Sequence, residues 1–180
     1  MTKLLFIDVE TTGFPKSDGE PDQPYIMQAG LIMRAGDRET LLMSCLIDTP
    51  IEPEPGALAV HGITQDMTKE LGMMRLDVMS AIAGLIERVD YVVAHNIVFE
   101  KRMLDIEVQR LGIETIEWPK TICTMKGSTE LVGLPRNKWP KLHECMSAFF
   151  GETHSRYHDA MFDARCVQRI YDCITGMAAQ

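Results

Sequence analysis

Four consecutive apolar residues, Leu4 to Ile7, with Val9 beyond them, predict a short buried strand over residues 3–10. Tyr25–Arg34 and Thr40–Asp48 read as two further strands, and the turn at Gly36-Asp37 between them is short enough for a hairpin. Beyond the breakers Pro50, Pro53 and Pro55 the pattern becomes helical. A short helix is expected over Ala57–His61, a second after a cap at Thr64, and a longer one over Leu76–Val89. In the last of these, Val78, Ile82, Leu85, Ile86 and Val89 share one side. Tyr91–Ala94 is a short apolar strand, Ile97–Leu111 an amphipathic helix ended by Gly112, and Thr121–Met125 a strand. Residues 126–140, with their Gly, Pro and Asn, read as a loop. Leu142–Phe150 is a helix stopped by Gly151, and Asp159–Thr175 a closing helix with Asp159 as its N-cap. Hairpin-linked strands followed by alternating strands and helices predict an α/β fold, a mixed sheet flanked by helices.

The first strand breaks its own pattern. Asp8 and Glu10 lie two apart, so they share a face, and burying two neighbouring like charges is costly. Carboxylates return at Glu100, in the first turn of the helix after Tyr91–Ala94, and at Asp163, in the last helix, with His158 just before it. A helix start favours negative charge, which accounts for Glu100 and Asp163 singly. It does not account for four acids and a histidine set to meet at one sheet edge. Cations between them would, and hard oxygen ligands suit Mg²⁺ or Mn²⁺. Two such ions activate a water and stabilise the leaving oxygen of a phosphodiester.

Composition narrows the class. The 180 residues, 46% hydrophobic and 24% charged, suit one folded domain over 1–180 rather than a disordered chain. The apolar run after Lys3 is too short for a signal peptide, and none reaches the length of a membrane span, so a cytoplasmic protein away from membranes is expected. Five cysteines without CxxC spacing speak against zinc and a disulfide framework; Cys166 and Cys173 fit a helix face in the core, as the thirteen methionines fit core filling. A net charge of −8 speaks against coating nucleic acid by long-range attraction, though not against gripping a strand end. The stretch 120–141 is locally basic, with Lys120, Lys126, Arg136, Lys138 and Lys141 against Glu130. It reads either as a path for phosphates with Trp139 available to stack, or as a surface loop whose Trp packs on the body. No P-loop, GxGxxG turn or GxSxG elbow is present. His95 reads as structural, Asn96 as an N-cap, and Asp105 and Glu107 as a solvated helix face.

FIDVETTG, AHNIVFE and YHDAMFDA, in that order, resemble the three motifs of the DEDDh family of 3′→5′ exonucleases, to which the DNA polymerase III epsilon proofreading subunit and ribonuclease T belong. VHGIT at 60–64 resembles a secondary family segment. The resemblance implies a ribonuclease H-like fold and metal-dependent hydrolysis of the 3′-terminal phosphodiester, releasing nucleoside 5′-monophosphates. By position, Asp8, Glu10 and Asp163 match metal ligands and His158 the general base. Thr11, Thr12 and Phe14 match residues that line the terminal nucleotide. His61 matches another, with a satisfied loop histidine as the competing reading. Glu100 stands where the family carries Asp, with the same charge and one more methylene. The expectation is therefore a 3′→5′ exonuclease using two divalent cations held by Asp8, Glu10, Glu100 and Asp163. Single-stranded DNA is favoured as substrate, and a polymerase or a second copy of the chain is a candidate partner. The alternatives are an RNA-trimming exoribonuclease and a catalytically weak nucleic-acid-binding subunit.

Overall fold

A computed structural model describes residues 1–176. Strands β1 (Lys3–Thr11), β2 (Ile26–Ala35) and β3 (Arg38–Leu46) form an antiparallel meander. β4 (Tyr91–Ala94) and β5 (Lys120–Cys123) add in parallel on the other side of β1, giving the order β3-β2-β1-β4-β5. The helices are α1 (Pro55–His61), α2 (Gln65–Leu71), α3 (Arg75–Ile86), α4 (Ile97–Leu111), α5 (Thr124–Gly127), α6 (Thr129–Val132), α7 (Leu142–Phe150) and α8 (Ala160–Ile174). Among the described residues no helix is long and apolar enough to cross a membrane.

β1 is the centre of the sheet, and its alternation divides the core. Leu5, Ile7 and Val9 pack with Val78, Met79, Ile82, Met103 and Leu104 of α3 and α4. Leu4 and Phe6 pack on the opposite face with Ala164 and Val167 of α8. A satellite cluster of Cys145, Met146, Cys166 and Ile170 joins α7 to α8, so these cysteines are core residues. With side chains alternating, Asp8 and Glu10 continue the row of Leu4 and Phe6 and lie on the face that α8 covers.

Gly30 of β2 stands opposite Asp8 in the antiparallel β1–β2 register. A Cβ there would lie 2.2 Å from the carbonyl oxygen of Ala160 and 2.4 Å from the nitrogen of Met161. Only glycine lets the first turn of α8 rest this closely on the strand beside Asp8. Gln28, opposite Glu10, accepts a hydrogen bond from Ala160 N at 3.0 Å. These two β2 residues fix where α8 begins.

Several boundaries differ from the sequence reading. α3 ends at Ile86 rather than Val89, because Asp90 is drawn into the sheet by a two-way clasp with the backbone of Lys3. β5 stops at Cys123 rather than Met125, since Met125 N donates to His95 O and the chain turns into α5. Residues 126–140 are not all loop: they hold the end of α5, all of α6, and a 3₁₀ turn at Pro135–Asn137. Such short turns leave no period to detect. Asn96 occupies the N-cap position of α4, but its side chain makes no capping bond. Asp159 does cap α8, accepting from Phe162 N at 2.9 Å.

Candidate active site

The carboxyl end of β1 delivers Asp8 and Glu10, the first turn of α4 delivers Glu100, and the first turn of α8 delivers Asp163. Glu10, Glu100 and Asp163 are buried, and Asp8 is half-buried. Ligand atoms of Glu10, His158 and Asp163 lie within 4.8 Å of one another. Asp8 and Glu100 stand outside that triplet but inside the same field, since each is acted on by the other acids.

The protonation of the group records the crowding. Burial, reinforced by Glu100, Asp163, Glu10 and Asp159, holds the Asp8 carboxyl far above its ordinary range. Burial and then Asp163 and Asp159 push Glu10 up to about 8. Glu100 is raised well above the usual carboxylate value by burial and Glu10, against a smaller opposing effect of the Val9 backbone amide. Asp163 is pushed up to about 7, chiefly by burial, although the His158 amide pulls the other way. Among the described residues none of the four forms an ion pair with lysine or arginine. Glu100 Oε2 and Asp163 Oδ1 are buried without a hydrogen-bond partner. Hard, crowded oxygens with unpartnered lone pairs are the donor set that fits a hard divalent cation.

His158 sits on the segment that enters α8. Its backbone is left-handed, with φ of 70°. Its N–H donates to Asp163 Oδ2 at 2.9 Å, which ties the exposed histidine to the buried acid. Burial, with the nearby charges of His143 and Lys141, holds its imidazole pKa below the usual value. The ring is therefore neutral near pH 7 and able to take a proton.

The other predicted residues border this group in different ways. Thr11 and Thr12 are buried, and their hydroxyls are engaged within the loop: Thr11 donates to Gly13 O at 2.8 Å, and Thr12 accepts from Tyr25 N at 2.9 Å. His61, at the end of α1, has Nε2 3.1 Å from Thr11 O and accepts from Ile63 N on Nδ1 at 2.9 Å. Both ring nitrogens are thus satisfied by backbone. Phe14 is 80% exposed and meets Phe99 edge to face, with centroids 6.1 Å apart. His95 is structural, with its ring nitrogens 3.1 Å from Thr124 Oγ1 and 2.9 Å from Pro140 O. A cavity of about 620 Å³ lined by Asp18, Gln23, Tyr25, Arg102 and Arg110 shares none of the acids.

Two features escaped the sequence reading. Glu107 is not on a solvated face: it is 0% exposed, accepts from Ile26 N at 3.0 Å and pairs with Arg110 at 2.7 Å. It lies on the buried stripe of α4 with Glu100, Met103, Leu104 and Val108. That spacing was visible, but the charge suggested the wrong face. Gln28 and Gly30, which seat α8, were also missed. The Gly36-Asp37 turn sets only the β2–β3 register, with Gly30 opposite Ser44; β1 and β2 are joined by the long segment 12–25, so no turn in the sequence gives the pairing of Gly30 with Asp8.

A mixed five-stranded sheet with helices on both faces and acids gathered at the end of its central strand is the ribonuclease H-like exonuclease fold. The family model described as an exonuclease, RNase_T, matches residues 5–171, and the chain belongs to that family. Exonuclease I of E. coli, solved with a dT13 oligonucleotide, is similar at 19% identity and a TM-score of 0.77, over 97% of this chain and 41% of that one. The zinc-bound form of the same exonuclease with single-stranded DNA gives 18% identity and a TM-score of 0.80, over 99% and 41% of the two chains. This chain thus spans well under half the length of exonuclease I. Exonuclease X, solved with 5′-overhanging duplex DNA, gives 20% identity and a TM-score of 0.67, over 100% of this chain and 94% of that one. No curated protein matches the sequence.

Proposed function

We propose that this chain is a metal-dependent 3′→5′ exonuclease that shortens single-stranded DNA and releases nucleoside 5′-monophosphates. The observation that carries the reading is the convergence of Glu10, His158 and Asp163 within 4.8 Å, amid the shared field of Asp8 and Glu100. The fold relatives solved with dT13 and with overhanging duplex DNA favour DNA over RNA as the substrate.

Asp8, Glu10, Glu100 and Asp163 would hold the cations, two of Mg²⁺ or Mn²⁺. Bound there, they supply Lewis acidity toward the phosphodiester and lower the pKa of a bound water. His158 accepts the proton of the attacking water. The oxygen bonds to phosphorus, and the bond from phosphorus to the 3′-oxygen of the penultimate nucleotide breaks. The departing 3′-oxygen then takes a proton from solvent. Phe14 offers a face for a terminal base. Thr11, Thr12 and His61, with their polar side-chain atoms engaged, bound the last nucleotide by shape.

Incubating a labelled dT12 strand with Mg²⁺ or Mn²⁺ tests the reading. Mononucleotides are expected from the native chain and not from Asp8→Asn or Asp163→Asn. Glu100→Asp is expected to keep or raise the rate, because it restores the shorter acid on the same helix turn. Shortening that persists in Asp8→Asn, or no shortening with either ion, would refute the proposal.

A further inference from the structure

An acidic pocket in a chain of net charge −8 must still attract a polyanion. One surface beside the pocket has the means. Lys126, Arg136, Lys138, Trp139, Lys141 and His143 are all exposed. Lys138 pairs with Glu144 at 3.0 Å, whereas Lys126, Arg136 and Lys141 form no ion pair among the described residues. Trp139 is 56% exposed rather than packed on the body, and Lys126 Nζ lies 5.5 Å from its ring centroid.

This surface is fastened to the catalytic edge. His95 opens the turn out of β4, and its ring bridges Thr124, two residues before Lys126, to the carbonyl of Pro140, beside Trp139. Burial lowers the His95 pKa to about 4, so the clasp is uncharged at neutral pH. At the other end, His143 meets Tyr157 with ring centroids 6.0 Å apart, and Tyr157 precedes His158. Cation, aromatic ring and cation thus run from the loop to the lip of the acid cluster.

We infer that Lys126, Trp139, Lys141 and His143 form the path of the single strand upstream of its 3′ end, with phosphates on the cations and a base stacked on Trp139. The inference rests on reading the acid cluster as the site for a nucleic-acid 3′ end. Lysines beside a stacking ring are the combination that holds single strands without regard to sequence.

The chain has two tryptophans, Trp118 and Trp139, so Trp118→Phe leaves Trp139 as the sole indole emitter. Titrating that variant with dT12 or rU12 in EDTA should quench its emission saturably. The log–log salt slope should be about −0.7 for each phosphate held. Lys126→Ala with Lys141→Ala should weaken binding at least fivefold and flatten that slope. The relative response to dT12 and rU12 tells which sugar the path prefers. Unchanged emission while a labelled dT12 still binds by anisotropy, or no binding of either strand, overturns the inference. If Trp118→Phe fails to fold, Trp139→Ala decides instead: its affinity for a labelled dT12, read by anisotropy in EDTA, should fall at least fivefold, and an unaltered affinity overturns the inference. Normal quenching without mononucleotide release supports the strand path and refutes the exonuclease reading, so the two fail separately.

Discussion

The backbone amide of His158, in a left-handed conformation, donates to the carboxylate of Asp163 at 2.9 Å. A non-glycine residue in that region costs on the order of 1 kcal/mol. The imidazole is held where it is by a backbone conformation that glycine or asparagine would accept more readily. His158→Gly is therefore expected to melt at the same temperature or higher, while turnover falls by about 10²-fold or more. His158→Asn should lose turnover likewise. Thermal denaturation beside a mononucleotide assay checks both, and unimpaired turnover in either variant would remove the histidine from the chemistry.

The raised carboxyls make the metal-free protein sensitive to pH. Glu10 moves from an ordinary 4.5 to about 8, and Asp163 from 3.8 to about 7. Across that window the folded chain binds more protons than the unfolded one, so stability falls as pH rises. The contribution is complete below the ordinary values and is lost as pH climbs through the folded ones. In EDTA the melting temperature should drop by more than about 3 °C between pH 5.5 and 8.5. Mn²⁺ should reverse the drop, with the larger gain at the higher pH, where it no longer competes with protons. A metal-free melting temperature that rises over this range would contradict the arrangement.

Gly30→Ala tests how α8 is seated. The new methyl would meet backbone atoms of Ala160 and Met161, which cannot swing aside as a side chain can. A loss of about 1–3 kcal/mol is expected from overpacking alone. Because the displaced turn carries Asp163, turnover should fall further than stability predicts. Equal loss in activity and folded fraction would show the contact to be merely structural.

Glu107→Ala separates fold from site on one helix. It leaves the amide of Ile26 and the guanidinium of Arg110 without their partner. A cost of about 3 kcal/mol is expected, as for a broken buried pair. Turnover per folded molecule should stay near the native value at low temperature. Denaturant titration gives the first quantity and the assay gives the second.

The sheet, the principal helices and the identity of the acids were legible because each leaves a local mark. β1 announces itself by Leu4 to Val9, and its two carboxylates by breaking that run. What escaped was decided by tertiary contacts. Glu107 follows the same helical spacing as Glu100, yet only the arrival of Ile26 and Arg110 explains why a charge is buried there. That the hydroxyls of Thr11 and Thr12 are taken up by Gly13 O and Tyr25 N is likewise visible only in the folded chain. The short helices of 124–132 contain too few residues to show a period. Trp139 had two equally good readings, and its exposure removes only the packing of the ring on the body.

The acids of β1 and the acid of α8 lie at opposite ends of the described residues, and α8, which follows all five strands in the chain, packs back on the central ones. A growing polypeptide therefore completes its sheet long before it owns a competent pocket. Until that helix docks, Asp8 and Glu10 stand without Asp163 and His158, so a half-synthesised copy owns only half of the proposed cation site.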